Sequence, residues 1–242
     1  MAGRYVVLSD IHLTVPHAWA AFRDQIELGA LLSHLAAQPS LTLVLAGDTF
    51  DFLMLADYDG FDASKSAARL EAILTHPGNA PVLAGLRAVA AGGHNVVLLA
   101  GNHDPEVLQP DVRAAFAART GLAPQRLGGD TVLYEPPGRS PVWGYRIPAA
   151  AGDAWIVHGD RWDPSNFIDR GAFVEAVAAR RPVTLPPGSQ LVHRVVRRLK
   201  RESYGWVDQV KPELGSVLPL LLYLDWTLAT RVLKDEWGIG VR

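Results

Sequence analysis

The chain of 242 residues contains no cysteine. Disulfides, iron–sulfur clusters, cysteine-ligated zinc and thiol nucleophiles are therefore excluded, and any metal must be held by His, Asp, Glu, Asn or backbone oxygen. An excess of charge is missing as well. Lys and Arg number 23 against 25 Asp and Glu, a net charge of −2, which argues against a general polyanion binder. There is no long hydrophobic run: the longest apolar stretch, Val217 to Leu224, falls far short of the ~18 residues that span a bilayer. Met1-Ala2-Gly3-Arg4 passes directly into a strand-like run, leaving no room for a signal peptide. The expectation is a soluble cytoplasmic protein. Hydrophobic residues at 49% and charged residues at 20% suit a packed globule, of a length for one large α/β domain or two small ones.

Four segments share one design. Arg4 to Leu8 runs into Ser9-Asp10-Ile11-His12, and Leu41 to Ala46 into Gly47-Asp48. Asn95 to Ala100 runs into Gly101-Asn102-His103-Asp104, and Ala154 to Val157 into His158-Gly159-Asp160. Short, nearly continuous runs of this kind read as strands buried on both faces. Helical stretches lie between the four: an apolar stripe of Ile26, Leu28, Leu31, Leu32 and Leu35; Ala67 to Leu74 with Pro81 to Ala91, broken near Pro77-Gly78; and Pro105 to Arg119. Strand–helix–strand alternation at this spacing predicts parallel strands with crossover helices. Thr131 to Tyr134 and Val142 to Ile147 read as later strands around a turn at Pro136-Pro137-Gly138.

In open α/β sheets, active groups gather beyond the carboxyl ends of strands. All four apolar runs end in groups suited to metals. Asp10 and His12, two apart in extended chain, point the same way and can grip one ion. Asp48 has two oxygens and can bridge two cations, while Gly47 permits close backbone approach. Asn102 offers an amide oxygen, with His103 beside it as an acid or hydrogen-bond donor, and His158 ends the fourth run. Each motif alone has an ordinary explanation, such as a helix cap, a Gly-Asn turn or a structural histidine. Their repetition in one structural context does not.

The ordered set Asp-x-His, Gly-Asp-x-x-Asp, Gly-Asn-His-Asp and a strand-borne His resembles the calcineurin-like metallophosphoesterase superfamily over about two-thirds of the chain, Tyr5 to Asp163. The resemblance implies an α/β sandwich of two β-sheets flanked by helices. It also implies a dinuclear centre of two divalent ions (Mn, Fe, Zn or similar) sharing a hydroxide that attacks phosphorus. By position, Asp10 and His12 bind the first ion, Asp48 bridges, and Asn102 and His158 bind the second. His103 is then the catalytic histidine, and Asp51 pairs with it, orients it and raises its pKa. The implied activity is hydrolysis of a phosphomonoester, phosphodiester or pyrophosphate.

The chain departs from the family in lacking a Gly-His-x-His motif; after His158 the only histidine is His193. Three readings follow: last strands lying beyond Arg242, a site with fewer protein ligands, or a degenerate binding or scaffold protein that kept the fold. Gly238-Ile239-Gly240-Val241-Arg242 resembles an interrupted approach to a strand, which favours the first. His158-Gly159-Asp160 followed by Asp163 is similar to UDP-diacylglucosamine hydrolases, whose substrate is lipid-linked, although that subgroup often has Arg in place of His103. Residues 1–163 are expected to form the core and 164–242 a helical lid or insertion. In the latter, Leu191, Val192, Val195, Val196 and Leu199 make an apolar stripe, with Arg194, Arg197, Arg198, Lys200 and Arg201 opposite. That cluster is the one basic patch for nucleic acid or for peripheral membrane contact, and it is more simply read as a solvated face. A further apolar helix is expected over 217–233. The expected partner is a phosphorylated small-molecule or lipid-linked substrate.

Overall fold

A computed structural model describes residues 4–16, 20–149 and 152–197, with residues 200, 226, 227, 230 and 234. Two β-sheets pack face to face. The first holds four parallel strands in the order β1 (Arg4–Leu8), β2 (Leu41–Ala46), β3 (Asn95–Leu99) and β4 (Leu127–Gly129). The second is an antiparallel meander of β5 (Thr131–Tyr134), β6 (Val142–Ile147) and β7 (Ala154–Ile156). This is the mixed α/β arrangement expected from the sequence, with helices flanking the sheets.

Every residue of β2 is buried, because the strand is central and covered on both faces. Leu41, Leu43 and Leu45 enter the large core beneath the helices. Val44 and Ala46, with Val97 and Leu99 of β3, meet Tyr145 and Ile156 of the antiparallel sheet. The crossover helices are α1 (Gln25–Ala36), α2 (Ala63–Thr75), α3 (Ala80–Ala91) and α4 (Pro110–Thr120). Helices α1 and α3 cross closely because each offers a glycine at the contact. A Cβ on Gly29 would lie 2.6 Å from Pro81 O, and one on Gly85 2.6 Å from Leu32 Cβ.

Several local expectations need correction. The apolar stripe of α1 is rotated: Gly29, Leu32 and Leu35 are buried, whereas Ile26 is 72% exposed. The helix expected from Pro105 divides into a 3₁₀ turn (Pro105–Leu108) and α4, because Pro110 restricts Gln109 to an extended conformation. Strand β4 was not foreseen, since Leu127-Gly128-Gly129 carries no apolar run. The first run is not buried on both faces, β1 being an edge strand with Val7 exposed, and the fourth is neither buried on both faces nor parallel: β7 lies at the edge of the antiparallel sheet, with Ala154 and Trp155 exposed.

Beyond Pro164 lie α5 (Arg170–Ala178), α6 (Pro187–Leu191) and a π-helical turn, Val192–Val196. The basic face is not uniformly solvated. Arg194 is exposed, but Arg197 turns inward and donates to the carbonyls of Leu55 at 2.6 Å and Tyr58 at 2.8 Å, and Lys200 is buried. Arg198, Leu199 and Arg201 lie outside the described residues, as does the helix expected over 217–233, apart from Trp226, Thr227 and Thr230, which are helical.

Candidate metal centre

The polar segments that follow β1, β2, β3 and β7 converge. The first two are laced together by backbone hydrogen bonds: Asp10 N to Gly47 O at 3.2 Å, His12 N to Asp48 O at 2.8 Å and Leu13 N to Thr49 O at 2.9 Å. Asp104 ties in the third. Its buried carboxylate accepts from the amides of Asp48 (3.1 Å), Phe50 (3.0 Å) and Gly101 (2.7 Å). Burial and the neighbouring Asp48 push the Asp104 carboxyl up, while the Phe50 and Gly101 amides oppose the shift. Sequence reasoning gave Asp104 no role, although it stands in the Gly-Asn-His-Asp run; a side chain that only bonds backbone amides leaves no spacing signal.

Asp10, His12 and Asp48 all have positive φ, at 56°, 53° and 47°. Three non-glycine residues held in the left-handed region at one spot store strain, and such strain concentrates at functional sites. The flanking glycines are steric necessities. A Cβ on Gly47 would fall 2.5 Å from His158 Nδ1, and one on Gly101 would collide with the Asp48 carboxylate.

Two donor groups result. Asp10, Asp48 and His158 offer ligand atoms within 4.8 Å of one another, and so do His12, Asp51 and His103. The carboxylate of Asp48 stands between them, with Oδ2 at 3.8 Å from His12 Nε2 and Oδ1 at 3.6 Å from His158 Nε2. Oδ1 also accepts from His103 N at 2.9 Å. Asn102 is alongside, its Oδ1 at 3.4 Å from His158 Nε2. All seven sequence-selected residues therefore meet in one place, although the grouping sets Asp10 with His158 rather than with His12.

The donors fit hard or borderline divalent cations: carboxylate, amide oxygen and imidazole, with no thiolate. Two orientations support this fit. His158 Nδ1 lies 3.1 Å from Ala46 O, a carbonyl that can only accept from it, and this turns Nε2 toward Asp48 and Asn102. The Asn102 amide nitrogen donates to Asn166 Oδ1 at 3.4 Å, which turns its oxygen inward. Asp163 fixes Asn166 in turn, accepting from its Nδ2 at 2.7 Å.

His103 Nδ1 lies 3.1 Å from Asp51 Oδ1, and its ring meets that of His12 edge-on at 4.6 Å. Burial by itself lowers the His103 pKa, but the charge of Asp51, their hydrogen bond and the charges of Asp48 and Asp104 overcome it and raise the value to about 9. For Asp51 the balance is reciprocal. Burial disfavours the carboxylate, yet His103 and His12 hold it well below the usual range.

Two packed sheets with a His/Asp/Asn cluster at their joined strand ends define an α/β protein of the metallophosphoesterase class. Residues 3–201 match the family model described as calcineurin-like phosphoesterase, and the chain belongs to that family. Hydrolysis of phosphoesters with the aid of bound metal is the activity of the family, whose members typically hold two metal ions. No curated protein gives a significant match.

Proposed function

We propose that this protein is a dinuclear metal-dependent hydrolase of a phosphorylated small molecule, acting on a monoester, diester or pyrophosphate. The observation that carries the reading is the buried Asp48 carboxylate, whose two oxygens face two different histidines. Asp10, His12, Asp48, Asn102 and His158 would hold the ions, with Asp48 shared. When bound, such ions supply Lewis acidity toward phosphoryl oxygen and lower the pKa of a water molecule.

The chain's own residues supply the remainder. Asp51 fixes the tautomer and direction of His103 through Nδ1 and favours its charged form. His103, protonated at neutral pH, neutralises charge on the phosphoryl or leaving oxygen from Nε2 and can give the leaving group its proton. Asn166 holds the Asn102 amide in the orientation a ligand needs.

With Arg197 and Lys200 turned to the protein, a water-soluble substrate fits the described surface better than a lipid surface does. The functional test uses protein loaded with manganese and chromogenic phosphate monoester and diester substrates. Hydrolysis is expected, and it disappears with chelator and in Asp48→Ala. Activity retained under both treatments rules out the metal mechanism. Absence of both manganese uptake and hydrolysis in the wild type favours a binding or scaffold role.

A further inference from the structure

Two donors of the centre arrive from different sheets. Asn102 follows β3 of the parallel sheet, and His158 follows β7 of the antiparallel one. For both to serve one cation, the roots of these two segments must be held at a fixed separation. The short β7, three residues at the edge of its sheet, is tied by the strand ladder on one side only.

A single buried guanidinium spans the gap. Arg170, at the first turn of α5 and 5% exposed, grips Asp160 with both Nη atoms, at 3.1 and 3.0 Å. Asp160 stands two residues after His158. The same Nη2 donates to Ala100 O at 2.6 Å, and Ala100 stands two residues before Asn102. The amide of Ala100 in turn donates to Asp130 Oδ2 at 2.8 Å, and Asp130 Oδ1 lies 3.5 Å from Arg170 Nε. Asp160 Oδ2 also accepts from Ile168 N at 3.1 Å. The two ligand-bearing segments are thus fastened to one planar group, whose fork satisfies a carboxylate and a carbonyl together, a geometry that an ammonium cannot reproduce.

Stability alone accounts poorly for this arrangement. Burying three charges carries a desolvation cost that pairing must return, and well-packed apolar residues often serve a fold equally well. What a buried, bonded guanidinium gives beyond stability is fixed geometry.

We propose that Arg170 is a positioning residue: with Asp160 and Asp130 it forms a clasp that sets the separation of Asn102 and His158, and thereby the affinity of the cation those two share. The proposal rests on reading the cluster as a metal centre. Outer partners that orient metal ligands typically contribute about 10- to 100-fold in metal affinity.

The test is manganese titration of the full chain, followed by the electron paramagnetic resonance of free Mn(II), for wild type and Arg170→Lys. Lysine keeps the charge and loses the fork. Binding of one ion is expected to weaken by about 10- to 100-fold, while the other changes little and near-ultraviolet circular dichroism is preserved. If the lysine variant does not fold, Asp130→Asn serves instead: it keeps its shape and its bond to Ala100 N, and it is expected to weaken the same ion by a smaller factor. No manganese uptake by the wild type overturns the metal centre, and the clasp with it. Two ions bound by the wild type with unchanged affinities in the folded variant overturns the clasp alone. Equal weakening of both ions, in step with a lowered melting temperature, makes Arg170 merely structural and also overturns it.

Discussion

The two sheets of this protein are built to different standards. In the parallel sheet, β2 is buried throughout and β3 is buried after its first residue. In the antiparallel sheet, β5 and β7 are largely exposed, and Val132, Tyr134 and Trp155 each show about half or nearly half of their surface. Yet each sheet supplies part of one constellation. The dense half carries Asp48, Asn102 and His103, and the positive φ of the buried Asp48 is held there because its packed neighbours leave no room for relaxation. The sparse half contributes His158, whose ring packs on Gly47 and is aimed by specific bonds: Ala46 O on its Nδ1, and the Arg170 clasp two residues on. Precision of a site can thus come from close packing in one layer and from a charged hydrogen-bond network in the next.

That comparison can be broken or sharpened by experiment. The largest effect after loss of Asp48 is expected for His103→Gln, which keeps a polar side chain on the dense half and removes the proton donor. Its kcat should fall by about 10²- to 10⁴-fold with metal content unchanged; an unaltered kcat removes His103 from the mechanism. Next come paired substitutions across the two sheets. Leu43→Ala, in a fully buried site, should cost about 2–5 kcal/mol of stability in denaturant titration. Trp155→Thr, on the exposed edge, should stay within about 0.5 kcal/mol. Comparable losses in both would show that the antiparallel sheet is as tightly specified as the parallel one.

A subtler effect concerns Glu106, enclosed in the dense half with its Oε1 at 3.4 Å from Tyr58 OH. Burial pushes its carboxyl from 4.5 up to about 8, with the peptide group of Glu106 itself opposing and the charge of Asp104 adding. The folded state therefore keeps a proton that the unfolded chain releases. Stability from this group is fully present below about pH 4.5 and is lost as pH rises through about 8. Glu106→Gln should flatten that decline in melting temperature between these limits, and identical pH slopes would remove Glu106 as its source.

How much of this could be read in advance differs by level. The three apolar runs before Asp10, Asp48 and Asn102 announced parallel strands correctly, but only the second and third are covered on both faces, where a strand must be apolar throughout; β1 is an edge strand with Val7 exposed. The run before His158 looked the same but formed an exposed antiparallel edge, since a run of three or four residues cannot say which sheet it joins. Leu127-Gly128-Gly129 became a strand with no pattern at all, its place being granted by the open edge of β3. In α1, the stripe through Ile26 and Leu31 lost to a face centred on Gly29, because helix contact selected the glycine that lets α3 approach.

The sequence by itself determined which groups take part in the candidate site. Seven donors and acceptors stand directly after strands or in the turns that follow, and local motif chemistry is written in consecutive residues. Tertiary structure alone decided how those donors divide into groups, which nitrogen of His158 faces inward, and that Asp104, Asn166 and Arg170 hold the arrangement. Those supports act across dozens of residues through hydrogen bonds to backbone atoms, and a backbone carbonyl or amide looks the same in every sequence.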